Sequence, residues 1–517
     1  MSRSVDSVLR TLMKKAVLVL VTAVAVIAAA LIPSGRPVEA ATSGFGSALS
    51  AVKQVSWQTN SSVNALAVAG NTVYAGGLFT RIRQPGQPLG QGDAARSYIA
   101  AFNRTTGVPT RFAPKLNGPV WSIATSPDGK WVVIGGDFTT VDGVKRSHLA
   151  MFSVATGKLV AGWDPVVAYR VSAIAIGGNS VYFGGSFGRV DNTERNNVAA
   201  VTLSTGVLLP WDPDADDDVY AIDLSDNGTR VFVGGGFSEL KNNDHYALAM
   251  VNTTTGDAYT MPAAAAIPEP DLDCQSRVKD IDTLGSKVFV SNAGSGRGCY
   301  DGVLAADATS GKLLWQNNCL GATEAIKAIG NWLYKGSHAH DCSRDGGFKD
   351  GTGNHHLLVE STTTGKLGPW YPNTDYGGET EVGPLAFASG GNDLWVGGDF
   401  TRVNGGAQQG LTRFTNTPGG ARPTLPAAPA ASSTRAGKAT VSFPTVVDAD
   451  NIALTYTLFR GSTKLASWKR SSYSWVKPAV TTFSDTRLPS GKTVSYRVQV
   501  SDGRNVRSGA AVAVKIR

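Results

Sequence analysis

Cysteine and histidine are scarce in this chain: four and six among 517 residues. No two cysteines are adjacent, and none follows the apolar stretch near the N-terminus to take a lipid. His-Glu-x-x-His and phosphate-cradling glycine loops are both absent, so the chain offers neither a zincin helix nor a P-loop. Charge is sparse at 17% of residues, which excludes a disordered polyelectrolyte. Ala16–Ile32 is the one long apolar run, short of the roughly 20 residues of a typical spanning helix. Glycine, by contrast, is abundant at 60 residues, as many tight turns and bulges require.

Residues 1–40 read as a signal peptide. Arg3, Arg10, Lys14 and Lys15 precede the apolar run, and Val38-Glu39-Ala40 places small residues for cleavage before Ala41. Lys14-Lys15 is not a twin-arginine pair, and an uncleaved anchor is the alternative. Export permits disulfides. It also places the protein outside the cell, secreted or associated with the wall, with no stable membrane span after cleavage. Charge is split along the chain. Residues 41–421 carry 28 basic and 34 acidic side chains, whereas residues 422–517 carry 15 and 4.

The body of the chain is repetitive. In Val171–Pro213 an alternating run (Val171–Ile176) precedes a run ending in a glycine pair and an aromatic (Val181–Phe187). A third run reaches Thr-Gly (Val198–Gly206), and the last closes on Trp-Asp-Pro (Trp211–Pro213). Similar units begin near Val63, Val120, Val219, Val278, Glu324 and Val382. Four short strands in a unit of about 50 residues predict the blades of an all-β, seven-bladed propeller over 41–416. Units five and six lose the glycine pair, reading Val288–Gly294 and Leu333–His338. The seventh lacks its tryptophan-bearing strand, and Val52–Trp57 is a spare strand able to close the ring.

Ala305–Trp315 (AADATSGKLLW) resembles the tryptophan-docking motif of quinoprotein-type propellers, which implies a Trp packed between neighbouring blades. The vicinal cysteine pair of the quinone enzymes is missing, so the resemblance implies a fold and no quinone. The repeat as a whole is similar to that of secreted actinobacterial propeller proteins of no assigned activity. Residues 417–438, rich in Pro, Ala, Gly and Ser, read as a linker. The alternating runs of 439–517 predict a small β-sandwich. Thr455–Gly461, Phe483-Ser484-Asp485 and Tyr496-Arg497-Val498 resemble a fibronectin type III domain, with Phe443 in place of the usual early Trp. That family implies a spacer or adhesive module, often found beside polysaccharide-acting domains.

Cys274 and Cys299 occupy the same places in unit five as Cys319 and Cys342 in unit six, which favours those two disulfides; a four-thiolate zinc site is the rival. Unit six gathers His338, His340, Asp341, Asp345, His355 and His356, donors suited to zinc or another ligand; a solvated loop is the plainer reading. Asp212, Asp214, Asp216 and Asp218 alternate as calcium ligands can, although no EF-hand spacing follows. Glu379, Glu381 and Asp375 are carboxylates an enzyme could pair. Arg96, Arg146 and Arg195 recur at one repeat position, which suggests ion pairs between blades. Lys464, Lys469, Arg470 and Arg497 would attract a polyanion, in an exported protein a wall polymer or acidic polysaccharide rather than nucleic acid.

These readings converge on a secreted, non-catalytic binding, adhesion or scaffold protein that requires no cofactor. Its expected partner is a cell-envelope polymer, an extracellular polysaccharide or another extracellular protein. The alternative is a glycoside hydrolase or lyase working on the loop face.

Overall fold

The computed structural model describes residues 48–517 except 272, 297–298, 352, 378–381 and 418–419. The signal-peptide reading, Glu379 and Glu381 lie outside the described residues. Among the described residues regular structure is almost wholly strand, broken by two short 3₁₀ turns at Pro262–Ala266 and Ser343–Asp345. Among the described residues no helix is long and apolar enough to cross a membrane.

The body is a β-propeller. Its sheets are antiparallel, each built outward from a first strand: Val63–Ala69, Val120–Thr125, Val171–Gly177, Val219–Leu224, Cys274–Leu284, Thr323–Ile329 and Pro384–Ala388. Each first strand adjoins the next, and Pro384–Ala388 adjoins Val63–Ala69, so together they surround a central axis.

The glycine pair explains the spacing of these sheets. A Cβ on Gly76 would lie 2.4 Å from Val120 Cγ1 of the following sheet, and a Cβ on Gly77 would lie 2.2 Å from the Ser62 carbonyl oxygen. The first glycine therefore lets the neighbouring sheet approach, and the second lets the chain pass its own first strand. The contact recurs around the ring and ends with Gly397 against Val63. At the fifth sheet Ser291 and Asn292 replace the pair and Thr323 replaces the valine, all buried. That seam is held by polar groups instead. Asp280 Oδ2 accepts the N–H of Ile326 at 2.8 Å, and Asp282 accepts from both Ala328 and the Lys327 ammonium. The docking tryptophans also cross between sheets: Trp163, Trp211 and Trp315 donate their indole N–H to the carbonyls of Thr202, Asn252 and Thr362.

The segment after residue 48 runs along the outer edge of Leu411–Thr415, the last strand of the last sheet. Ser50 N–H donates to Thr415 O at 2.9 Å and Gln54 N–H to Arg413 O at 2.8 Å. Trp370 donates to Ser50 O at 3.2 Å. Both expected disulfides are present, Cys274–Cys299 and Cys319–Cys342.

In the tail, Ala430–Arg435, Lys438–Pro444 and Val480–Thr486 form one sheet. Thr463–Ser471, Ala453–Arg460, Thr493–Ser501, Val506–Ser508 and Val512–Lys515 form the other. Phe443, Tyr456, Leu458, Tyr496 and Val498 fill the common core. Phe443 stacks on Tyr456, and Trp468 closes the core against Phe443 and Phe483. Ala430–Arg435 belongs to this core unit, although its Ala/Ser composition reads as linker; its backbone pairing with Lys438–Pro444 outweighs weak side-chain patterning.

Gly184 meets Val219 Cγ1 at 2.3 Å from its would-be Cβ, whereas Gly188 has its nearest such contact at 3.7 Å. Gly184→Val is expected to lower unfolding free energy by about 1–3 kcal/mol or more in a urea titration, and Gly188→Ala to change it little.

Candidate functional site at the channel mouth

Each first strand carries a bulge, seen as a register shift between Val63 and Ala65 and at the same repeat position in the other sheets, which in the longer fifth strand lies between Val278 and Asp280. The residue inside the bulge has no cross-strand partner and is free to differ. Around the ring these residues are Asn64, Trp121, Ser172, Tyr220, Lys279, Glu324 and Leu385, and all seven line one cavity of about 380 Å³. Arg170, Ser186 and Asp218 complete it. Below lies a tier of Leu66, Ile123, Ile174, Ile222 and Phe387.

Charge and aromatic surface are paired here. The Arg170 guanidinium sits 4.7 Å from the Trp121 ring and forks onto Asp137 at 2.7 and 2.8 Å. Trp121 donates its indole N–H to Asp137 at 2.7 Å. Burial pushes the Asp137 pKa up, but these donors outweigh it and the carboxylate stays below its usual range. Across the mouth, Lys279 lies 5.3 Å from the Tyr220 ring and pairs with Glu324 at 3.1 Å. Burial, and then the nearby Asp218 charge, raise the Tyr220 pKa. The result is two aromatic rings, each with a cation, beside three carboxylates: Asp137, Asp218 and Glu324. Repeat-matching in the sequence treats the bulged position of each first strand as an ordinary strand residue. The signal it overlooks is variability at a fixed repeat position. Gly184-Gly185-Ser186-Phe187-Gly188 has the spacing of a nucleophile elbow, yet Ser186 leads into a β-hairpin rather than a helix, and no histidine lines this mouth.

The unit-six candidates are distributed among separate partners. His338 Nε2 accepts Ala322 N–H at 3.3 Å, and His340 lies 3.4 Å from Asp350. Asp341 accepts Ser343 N–H, while Asp345 is buried, accepting Asn318 N–H and pairing with Lys366 at 3.4 Å. His356 Nδ1 is 2.7 Å from Thr374 O. His355 Nδ1 is 2.6 Å from Tyr371 OH, with its ring among Phe348, Tyr371 and Trp475. Trp475 comes from the tail and donates to Gly368 O at 2.8 Å, so an aromatic contact joins the tail to the sixth sheet. Among the described residues no three His, Cys, Asp or Glu side chains stand in metal-holding geometry.

The acidic alternation is dispersed as well. Asp212 pairs with Arg195 at 3.2 Å, and Asp214 accepts from Asn196. Asp216 Oδ1 accepts the N–H groups of Ser238 and Glu239, and Asp218 faces the channel. The double acceptance by Asp216 repeats at Asn60, Asn117 and Asp375, which marks it as a turn clamp of the repeat. Recurring Arg96, Arg146 and Arg195 donate mainly to backbone carbonyls of their own unit, and of the three only Arg195 is in an ion pair among the described residues. In the tail, Lys464 and Arg497 flank Phe459 in register, with Arg497 4.2 Å from its ring, and Lys469 shares that face opposite Thr455. Arg470 pairs with buried Leu454 and so belongs to the other face. None of the five strands of this sheet carries Asp or Glu.

No protein-family model and no curated protein sequence matches the chain. Among solved structures, the chain is similar to the β-propeller domain of Cps50 (Swd1) from Myceliophteria thermophila, at 11% identity and a TM-score of 0.44, over 70% of this chain and 99% of that one. It is also similar to the GH74 enzyme of Niastella koreensis, at 9% identity and a TM-score of 0.40, over 88% and 73%.

Burial, and then the charge of His356, hold the His355 pKa down at about 4, below the ordinary 6.5. A depressed pKa gives stability that is full above the unfolded value and is lost as pH falls through the folded one. Thermal melts from pH 7 to pH 4 are expected to show a smaller acid-induced drop for His355→Gln than for the parent chain.

Proposed function

We propose that the protein is a secreted binding protein whose propeller takes a saccharide at the channel mouth, while its tail holds it to an anionic polymer of the cell envelope. In this reading the propeller has seven blades, and Val52–Trp57 closes the last. The Gly397–Val63 contact and the Gln54–Arg413 pairing support that count and closure. The tail is then a fibronectin type III-like sandwich used as an adhesive module. Two disulfides agree with an extracellular life.

The observation that carries the reading is the pair of cation-bearing aromatics, Trp121 with Arg170 and Tyr220 with Lys279, in one cavity with Asp218 and Glu324. A sugar ring offers an apolar face and equatorial hydroxyls. An aromatic face takes the first, and fixed carboxylates and amines take the second. Propellers host unrelated functions, so the argument rests on these residues and not on the fold.

Calorimetry against a panel of neutral and acidic oligosaccharides is the test. Binding by the parent chain should weaken about tenfold or more in Trp121→Ala, a loss of roughly 1.4 kcal/mol or more. A panel with no binder refutes the reading. Release of shorter products, abolished by Glu324→Gln, would establish the hydrolase alternative instead.

Envelope binding through Lys464, Lys469 and Arg497 should fall as salt rises from low to physiological strength, because exposed charges are screened over about 8–10 Å there. A sedimentation assay with purified envelopes, comparing the parent chain with a Lys464→Ser, Lys469→Ser, Arg497→Ser variant, reads this. Equal, salt-insensitive sedimentation of both would remove the tail from the proposal.

A further inference from the structure

The C-terminal unit, residues 422–517, holds only four carboxylates against fifteen Lys and Arg. With such a surplus, each acid could be expected to find a cation. Asp485 does: Arg460 pairs with it at 2.9 Å and Tyr496 donates to it at 2.7 Å. The other three, Asp448, Asp450 and Asp502, gather at the joint with the propeller, and among the described residues none of them is in an ion pair.

The pair at the centre is buried, with Asp448 6% exposed and Asp450 1%. Asp448 Oδ1 accepts the N–H of Asp450 at 2.9 Å and of Asn451 at 3.1 Å. Its Oδ2 is buried with no donor, and it stands within hydrogen-bond reach of the Asp450 carboxylate. Asp450 Oδ1 accepts from the Asn451 amide and Oδ2 from Ala421 N–H, at 2.8 and 3.0 Å. Two carboxylates in contact and out of water are costly unless a shared proton or a cation stands between them, and burial, with the Asp450 carboxylate beside it, raises the Asp448 pKa to about 7. Among the described residues no cationic side chain does so, and an all-oxygen donor set suits a hard cation.

We propose that Asp448 and Asp450 form a calcium site at the joint of propeller and tail. Two carboxylates leave the rest of the coordination shell to amide and carbonyl oxygens and water, which places the affinity with the weak extracellular sites, about 10⁻⁴–10⁻³ M. The loop that carries the pair also touches the propeller, since Ala51 N–H donates to Ala449 O at 3.2 Å. Ala421 belongs to the connecting segment, and Asn505 reaches its carbonyl at 2.9 Å. An ion here ties these segments into one rigid joint. The proposal is independent of the saccharide reading.

The test uses the full chain, stripped with chelator and titrated with calcium chloride in a calorimeter. The expected result is one calcium per chain in that range, weakened at least tenfold in Asp448→Asn and unchanged in Asp350→Asn, a control at an exposed carboxylate. A second readout needs no variant: calcium, and not magnesium, should slow subtilisin cleavage between residues 417 and 430. No saturable heat up to about 10 mM calcium, ten times the weakest expected constant, together with no protection, overturns the proposal. So does binding by Asp448→Asn equal to that of the parent chain.

Discussion

The architecture depends on a missing Cβ. Wherever a valine that opens one sheet meets the first glycine of the preceding pair, the sheets approach more closely than any side chain would allow. That approach sets how tightly the ring is wound and therefore how wide its channel is. Each first strand also bulges opposite the place of the pair, the fifth included, where Ser291 and Asn292 stand instead of glycine. The bulged residue is freed from packing, and the channel mouth is made of such residues. A structural constraint repeated around the ring thus yields positions whose chemistry is unconstrained, from Asn64 to Leu385.

The fifth and sixth sheets depart from this rule together. With Ser291 and Asn292 in place of glycines, the seam is carried by Asp280, Asp282 and Lys327. A second buried charge pair, Lys335 with Glu360 at 2.6 Å, replaces apolar residues inside the sixth sheet. Buried ion pairs are poor general stabilisers but fix one arrangement strongly, since removing either partner strands the other. The disulfides pin the extended loops of the same two sheets, and Trp475 of the tail seats there. The irregular part of the ring therefore receives the tail at Trp475, and the segment beside the last sheet receives it at Ala51.

Much of the fold was legible because it repeats. The glycine pairs, Thr-Gly turns and tryptophans locate strands and turns without any knowledge of long-range contacts, and equivalent placement of the cysteines gave their pairing. The site was far less legible. His355 and His356 are close in sequence, yet one faces Tyr371 and the other Thr374, because neighbouring strand residues point to opposite faces. Asp216 looks like a ligand until its two backbone donors are seen to recur at Asn60, Asn117 and Asp375. Trp121 and Lys279 come from distant units and line one cavity only when the ring is assembled. The same repetition that exposes the architecture hides the mouth, since a matching pattern is blind to positions that do not match.

The edge contact between the two ends of the propeller has a consequence for synthesis. Val55 O and the Arg413 side chain meet across 358 positions of sequence, so the segment around Val55 is satisfied only after Arg413 has been made. Until that segment docks, the outer edge of Leu411–Thr415 lacks the hydrogen bonds from Ser50 and Gln54. Contacts so far apart in the chain make for slow assembly, with exposed strand edges prone to aggregate meanwhile. The emerging polypeptide is thus expected to need either a chaperone or a long wait before its two ends meet.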